Sequence, residues 1–320
     1  MISVYVRQNG VTAHADRVDP RWLDPDSGAV VWVDLSDPTE PEQRILSDVF
    51  HFHALAIEDA LSRLQFPKVE AYEGYLYIIL HGIDFQAAEH RFATRDVDFF
   101  VSPTYLVTVH GGSSRSVGLL RDICERHGHV LDEGPMGLLH RIVDTMVDNY
   151  QPEMEKLEDR ISQLEEEAYV GRAPLVRELM GLKRDLASMR RILMPQRDAV
   201  GRLARREFPA ISVEMAYRFR DVYDHLVRYA DEMILFQDRA TGILEVNLAA
   251  VSNRLNQIMK VLTIMSTIFL PLTVLTGIWG MNLRLPLFPG GEGAQFWWLA
   301  GLMISISVAM LLAFRRMDWF

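Results

Sequence analysis

At 320 residues the chain exceeds the usual size of a single domain, so two or more structural parts are expected. A formal net charge of −10 argues against nucleic acid as a partner and suits a domain that meets cations. The single cysteine, Cys124, excludes an intrachain disulfide and a thiolate zinc cluster and reads as a packed cytosolic thiol.

Residues 1–135 read as a mixed α/β domain. The opening "MISVYVRQNG" lacks a basic stretch followed by a long apolar core, so no signal peptide is expected, and this domain should stay on the side where it is made. "VVWVDL" (30–35), "YLYIILHGI" (75–83), "DFFVS" (98–102) and "YLVTVH" (105–110) are short, rich in β-branched and aromatic residues and bounded by turn signals, which predicts strands. Helical spacing marks 40–62 and 116–127, where Leu119, Leu120, Ile123 and Cys124 share a face. "FHFH" (50–53) alternates and belongs to a strand end or a loop. No glycine-rich phosphate loop follows any strand, so a nucleotide site has no support. Neither a nucleophile–base pair nor a metal-ligand spacing stands out, and the chain does not read as an enzyme.

From residue 136 to 212 the spacing predicts an antiparallel helical hairpin. Nine acidic residues against three basic ones lie in 138–170; nine basic residues against three acidic ones lie in 175–206. Pairing of two solvated amphipathic helices accounts for this, at under ~1 kcal/mol per exposed ion pair. A long stalk helix is then expected over 213–281. Its apolar positions Phe219, Val222, Leu226, Ala230, Met233, Ala240, Leu244, Leu248, Val251, Leu255, Ile258 and Leu262 step by threes and fours with one gap of seven, and the first proline is Pro271. Such a helix would reach roughly 100 Å and needs neighbours to pack on, which implies an oligomer.

The end of the chain is uncharged in two runs: 23 residues from Val261 to Leu283 and 22 from Gly293 to Phe314. As helices each is long enough for a bilayer core of about 30 Å. The lipid bilayer is therefore a partner: 213–281 runs into a first span, 282–293 is a loop, 294–314 is a second span and 315–320 is a basic tail. Arg254 and Lys260 precede the first span, Arg315 and Arg316 follow the second, and the loop carries only Arg284 and Glu292. That asymmetry puts both termini in the cytoplasm and the loop outside, and Trp279, Trp297, Trp298 and Trp319 fall at the interfaces.

Within the first span Asn256, Met259, Leu262, Ser266, Leu270, Thr273, Gly277 and Gly280 recur at spacings of three and four and so form one helix face. Small residues on one face permit close helix packing. The same face, one per subunit around an axis, makes a pore with hydroxyls, apolar constrictions and a terminal amide, Asn282, in series. Nothing in it is charged. It suits a cation recognised through its waters, and Mg2+ dehydrates reluctantly.

"GMN", Gly280-Met281-Asn282, closes "MKVLTIMSTIFLPLTVLTGIWGMN" (259–282), and "FRDVYDH" (219–225) lies upstream. In these segments, and in its C-terminal basic pair, the chain resembles the CorA family of magnesium channels over most of its length. The resemblance implies a funnel-shaped homopentamer in a bacterial inner membrane, with an α/β cytosolic domain, a long helical stalk and two C-terminal transmembrane helices. It implies that Gly280, Met281 and Asn282 form a selective pore mouth and that Asn256, Met259, Leu262, Ser266, Leu270, Thr273 and Gly277 line the pore, Met259 and Leu262 acting as apolar gate. By the same likeness Asp221 binds regulatory Mg2+ between subunits, with Asp84 or Glu89 as the facing acid, and Co2+ or Ni2+ are further substrates. The loop departs from the family's acidic pattern, with Arg284 early and Glu292 as its only acid. That keeps a ZntB-like Zn2+ transporter of the same architecture open. A membrane-tethered oligomeric scaffold or sensor is the reading from a different class.

Overall fold

The computed structural model describes residues 1–62, 65–83, 94–127, 129–169, 173–281, 292–317 and 319. Seven strands, β1 (Ile2–Gln8), β2 (Val11–Ala15), β3 (Val30–Ser36), β4 (Lys68–Tyr72), β5 (Tyr75–Ile83), β6 (Thr94–Val101) and β7 (Tyr105–His110), form one sheet in the order β2-β1-β3-β7-β6-β5-β4. Only the β3–β7 pair is parallel, with Val33 opposite Val107; the remaining pairs are antiparallel. Helices α1 (Glu40–Asp48), α2 (Ala54–Leu61) and α3 (Arg115–His127) fall between and after them.

All four expected strands are present, with the third shifted to begin at Thr94. Three were not expected: β1, β2 and β4. The span 40–62 is not one helix but two, because "FHFH" forms the loop between them. Phe50 and Phe52 bury themselves there, Phe52 stacking on Phe100 at 4.1 Å, while His51 takes a positive φ of 53° and His53 accepts the Leu55 N–H as the α2 cap. Alternation in the strands divides the core. Val31, Val33, Leu35, Val107 and Val109 pack with Leu46 and Ala56 of α1 and α2. The opposite face carries Trp32, Asp34 and Thr108, and Arg121 of α3 reaches Asp34 on that side. Two buried polar knots cross the sheet. Asp34 accepts Thr108 Oγ1 at 2.7 Å, and Tyr77 hydroxyl meets Asp98 at 2.5 Å. Cys124 is packed, and burial pushes its thiol up to about 11.

Beyond the sheet the chain is helical: α4 (Gly134–Asp148), α5 (Gln151–Ala168), α6 (Ala173–Ala204), α7 (Val213–Trp279) and α8 (Glu292–Arg316). α4 packs on β3, β5, β6 and β7 and breaks from α5 at Asn149–Tyr150, so the first arm of the expected hairpin is two helices. Charge pairing extends past that hairpin. Arg160 of α5 meets Glu178 of α6, but Arg239 of α7 takes Glu165 of α5 at 2.8 Å. α7 runs unbroken for 67 residues. The chain forms two compact units: Met1–Glu166 with Pro174–Leu244, and Glu167–Ala173 with Glu245–Phe320. The second unit holds the apolar stretches of α7 and α8, each long enough and, at a mean hydropathy of 2.0, apolar enough to cross a bilayer.

Candidate ion pathway

In the second unit the burial of α7 is one-sided. Ile264 is buried and Ile268, Pro271, Leu272, Leu275 and Trp279 are half-buried. At about 100° per residue these positions make one row along the helix. α8 repeats the pattern with Gln295, Leu299, Met303, Ile306, Ser307, Met310 and Phe314 half-buried. The Trp279 Nε1–H donates to Gln295 Oε1 at 3.3 Å, tying the two helices at their loop ends.

Asn256, Met259, Leu262, Ser266, Leu270, Thr273, Gly277 and Gly280 are all exposed in the single chain, as is Met281. Their centre lies roughly 180° around the helix from the half-buried row. The uncharged stripe therefore faces away from the chain's own second span. Pro271 stands on the α8 side, where the backbone it disturbs is shielded by the neighbouring helix. Thr273 donates its hydroxyl to the Phe269 carbonyl at 2.8 Å, which leaves the oxygen's remaining lone pairs as acceptors on the stripe. A water-clad cation presents donors, and an acceptor row is what it can use.

Helical geometry ends where the stripe does. Gly280 N–H still reaches the Thr276 carbonyl at 2.8 Å, whereas Met281 N–H turns to the Ile278 carbonyl, one residue tighter. Continued as an ideal helix, position 282 would fall within about 30° of the half-buried row, on the side turned toward α8. Asn282 itself lies outside the described residues, as do Arg284, Asp84 and Glu89.

Asp221 is exposed on α7 in the first unit. Its charge reaches Asp144 of α4, and His225 follows one turn along its own helix. Burial, together with the charges of Asp148 and Asp221, pushes the Asp144 carboxyl above the usual carboxylate range, and burial holds His140 below the usual imidazole range. His225 Nδ1 stands 3.9 Å from Asp148 Oδ1, beyond hydrogen-bond reach. Among the described residues no group of three or more carboxylate, imidazole or thiol ligands comes together closely enough to hold a metal ion. One chain thus presents acids without completing a coordination shell. Asp144, Asp148 and His225 were not expected at this place; the acidic run of 138–170 contained the first two, but periodicity alone did not bring α4 to α7.

A long unbroken helix with an uncharged exposed stripe, a glycine-flanked end and a second apolar helix beside it is the architecture of a two-span membrane protein. The family described as CorA-like Mg2+ transporter protein matches residues 27–316. The cobalt/magnesium transport protein CorA of Thermotoga maritima is 32% identical over 92% of this chain and 84% of its own. YfjQ of Bacillus subtilis is 33% identical over 90% of this chain and 89% of its own. The complete structure of the CorA magnesium transporter from Methanocaldococcus jannaschii superposes with a TM-score of 0.85 at 25% identity, covering 100% of this chain and 99% of that one. The chain belongs to the CorA family of divalent-cation transporters.

Proposed function

We propose that the protein takes up hydrated Mg2+ through a pore lined by one α7 from each of five identical subunits. The observation that carries this reading is the stripe: eight positions, uncharged, all exposed, turned away from α8. A cation that keeps its waters needs acceptors and a gate rather than carboxylate ligands. Ser266 and Thr273 offer hydroxyl oxygens, Met259 and Leu262 close an apolar gate, and an Asn282 ring receives the ion at a mouth formed with Gly280 and Met281. The relatives named cobalt/magnesium transport proteins support Mg2+ first and Co2+ as a further substrate, with Ni2+ by chemical likeness. Both termini lie in the cytoplasm of a bacterial inner membrane in this reading, because the basic residues cluster on that side of both spans.

Asp221 is the proposed regulatory group. Its partner in this reading is an acid of the α/β domain of a neighbouring subunit, with Asp84 and Glu89 as the candidates, while Asp144 adds negative charge beside it. Bound Mg2+ would relieve the repulsion among these acids and hold neighbouring stalks together in a closed state.

Flux into liposomes tests the whole reading: Mg2+, Zn2+, Co2+ and Ni2+ compared with and without a proton gradient, alongside native mass spectrometry of the oligomer. Five subunits and Mg2+ flux indifferent to the proton gradient are expected. Zn2+ flux driven by protons would establish the ZntB-like alternative, which the Arg284-bearing loop keeps open. No flux of any cation would leave a tethered scaffold or sensor.

A further inference from the structure

α7 has little side-chain material with which to fix its final turn. Gly277 and Gly280 contribute none, and a Cβ at Gly280 would come within 3.1 Å of the Thr276 carbonyl oxygen. Thr276 spends its hydroxyl on its own helix, donating to the Leu272 and Thr273 carbonyls. Trp279, three residues before Asn282, makes a polar tie to α8 at this end through Gln295. Gln295 Nε2 is buried and has no partner among the described residues, so the amide's bonding passes through Oε1.

The stopping point of α7 decides which way the chain turns next, since one further helical residue rotates every following group by about 100°. We infer that Gln295 is a positioning residue for the pore mouth. By accepting the Trp279 indole N–H it holds the last turn of α7 against α8 and sets the place where helix gives way to the Asn282 segment. This rests on reading Asn282 as the mouth.

The experiment uses the full-length oligomer with Trp279→Phe, Gln295→Leu, Gln295→Glu and the Trp279→Phe/Gln295→Leu double variant. The first readout needs no flux: the Trp279 indole Nε1–H resonance, assigned by its loss in Trp279→Phe. It should move toward that of an unbonded indole in Gln295→Leu and return in Gln295→Glu, which keeps an acceptor oxygen. The second readout is Mg2+ uptake into liposomes. Half-saturation should rise roughly three- to eighteen-fold in Trp279→Phe and in Gln295→Leu, the range of a membrane interhelical hydrogen bond. The double variant should be no worse than the worse single one, Gln295→Glu should recover, and maximal flux should stay near wild type. An indole resonance indifferent to Gln295→Leu, an unchanged half-saturation, or additive effects in the double variant would each overturn the inference while leaving the pore reading intact. Absence of flux in the wild type would overturn the pore reading, and the inference with it.

Discussion

α7 lives in two environments along one helix. Between Phe219 and Ile243 its apolar row, including Val222, Leu226, Tyr229, Met233, Phe236 and Ala240, is buried by the chain's own helices. From Glu245 onward, apart from Asn247, Ala250, Val251, Ile264 and the half-buried row, its side chains stand exposed. The first stretch obtains its stability from packing within one chain, as any soluble helix does. The second has an apolar surface that one chain leaves bare, of the length and composition that lipid covers. A side chain's surroundings thus change with position on the same helix: before Glu245 an apolar residue is packed into the fold, and beyond it the stripe is left uncovered by its own chain.

The sharpest break of that comparison is Asn282→Ala. Removing the proposed amide ring should abolish selective divalent uptake while the oligomer, read by native mass spectrometry, remains assembled. Wild-type uptake by this variant would remove the mouth from the pore account.

Next come two matched truncations. Leu226→Ala, in the buried stretch, should cost about 2–5 kcal/mol of stability through the cavity it leaves. Leu270→Ala, on the exposed stripe, should shift thermal unfolding little and alter flux instead. Equal destabilisation by both would mean that the stripe is structural packing and nothing more.

Asp221→Ala or Asp221→Lys should then move the internal Mg2+ concentration that halves uptake by about five-fold or more, the smaller end of an allosteric coupling, without changing the order of preference among ions. Superimposable inhibition curves would make Asp221 a solvated stalk residue.

A pH dependence belongs to the first unit. Burial pushes the Asp98 carboxyl up to about 8, whereas in the unfolded chain it titrates near 4. The folded protein keeps a proton that the unfolded chain has lost, so stability should fall as pH rises from about 4 to about 8. Asp98→Asn retains an acceptor for the Tyr77 hydroxyl and has no proton to lose. Its thermal midpoint should exceed wild type at pH 8, by about 2–4 °C for each kcal/mol recovered, and match it more closely at pH 5. A wild-type slope retained in Asp98→Asn would assign the pH dependence to other groups.

Much of this architecture is written in composition and period. Two uncharged runs longer than a bilayer core, a stripe recurring every three or four residues, and Gly280-Met281-Asn282 at its end are readable without coordinates, because hydrophobic length and helical period act locally. The strands β3, β5, β6 and β7 are readable for the same reason. β1, β2 and β4 are not: β2 and β4 are edge strands with partial burial, β1 is buried on both faces from Ser3 to Val6 and so lacks alternation, and pairing with a neighbour decides all three. The break between α4 and α5, and that between α1 and α2, depend on which side chains the sheet accepts; Phe50 and Phe52 leave helical geometry to fill its core. The sequence alone could name the stripe, but a stripe on a helical wheel has no inside or outside. The tertiary structure decided that by placing α8 on the opposite face, and it brought Gln295 to Trp279 and Asp144 to the side of Asp221. Contacts between residues far apart in the chain depend on how whole elements pack, and no local period encodes that.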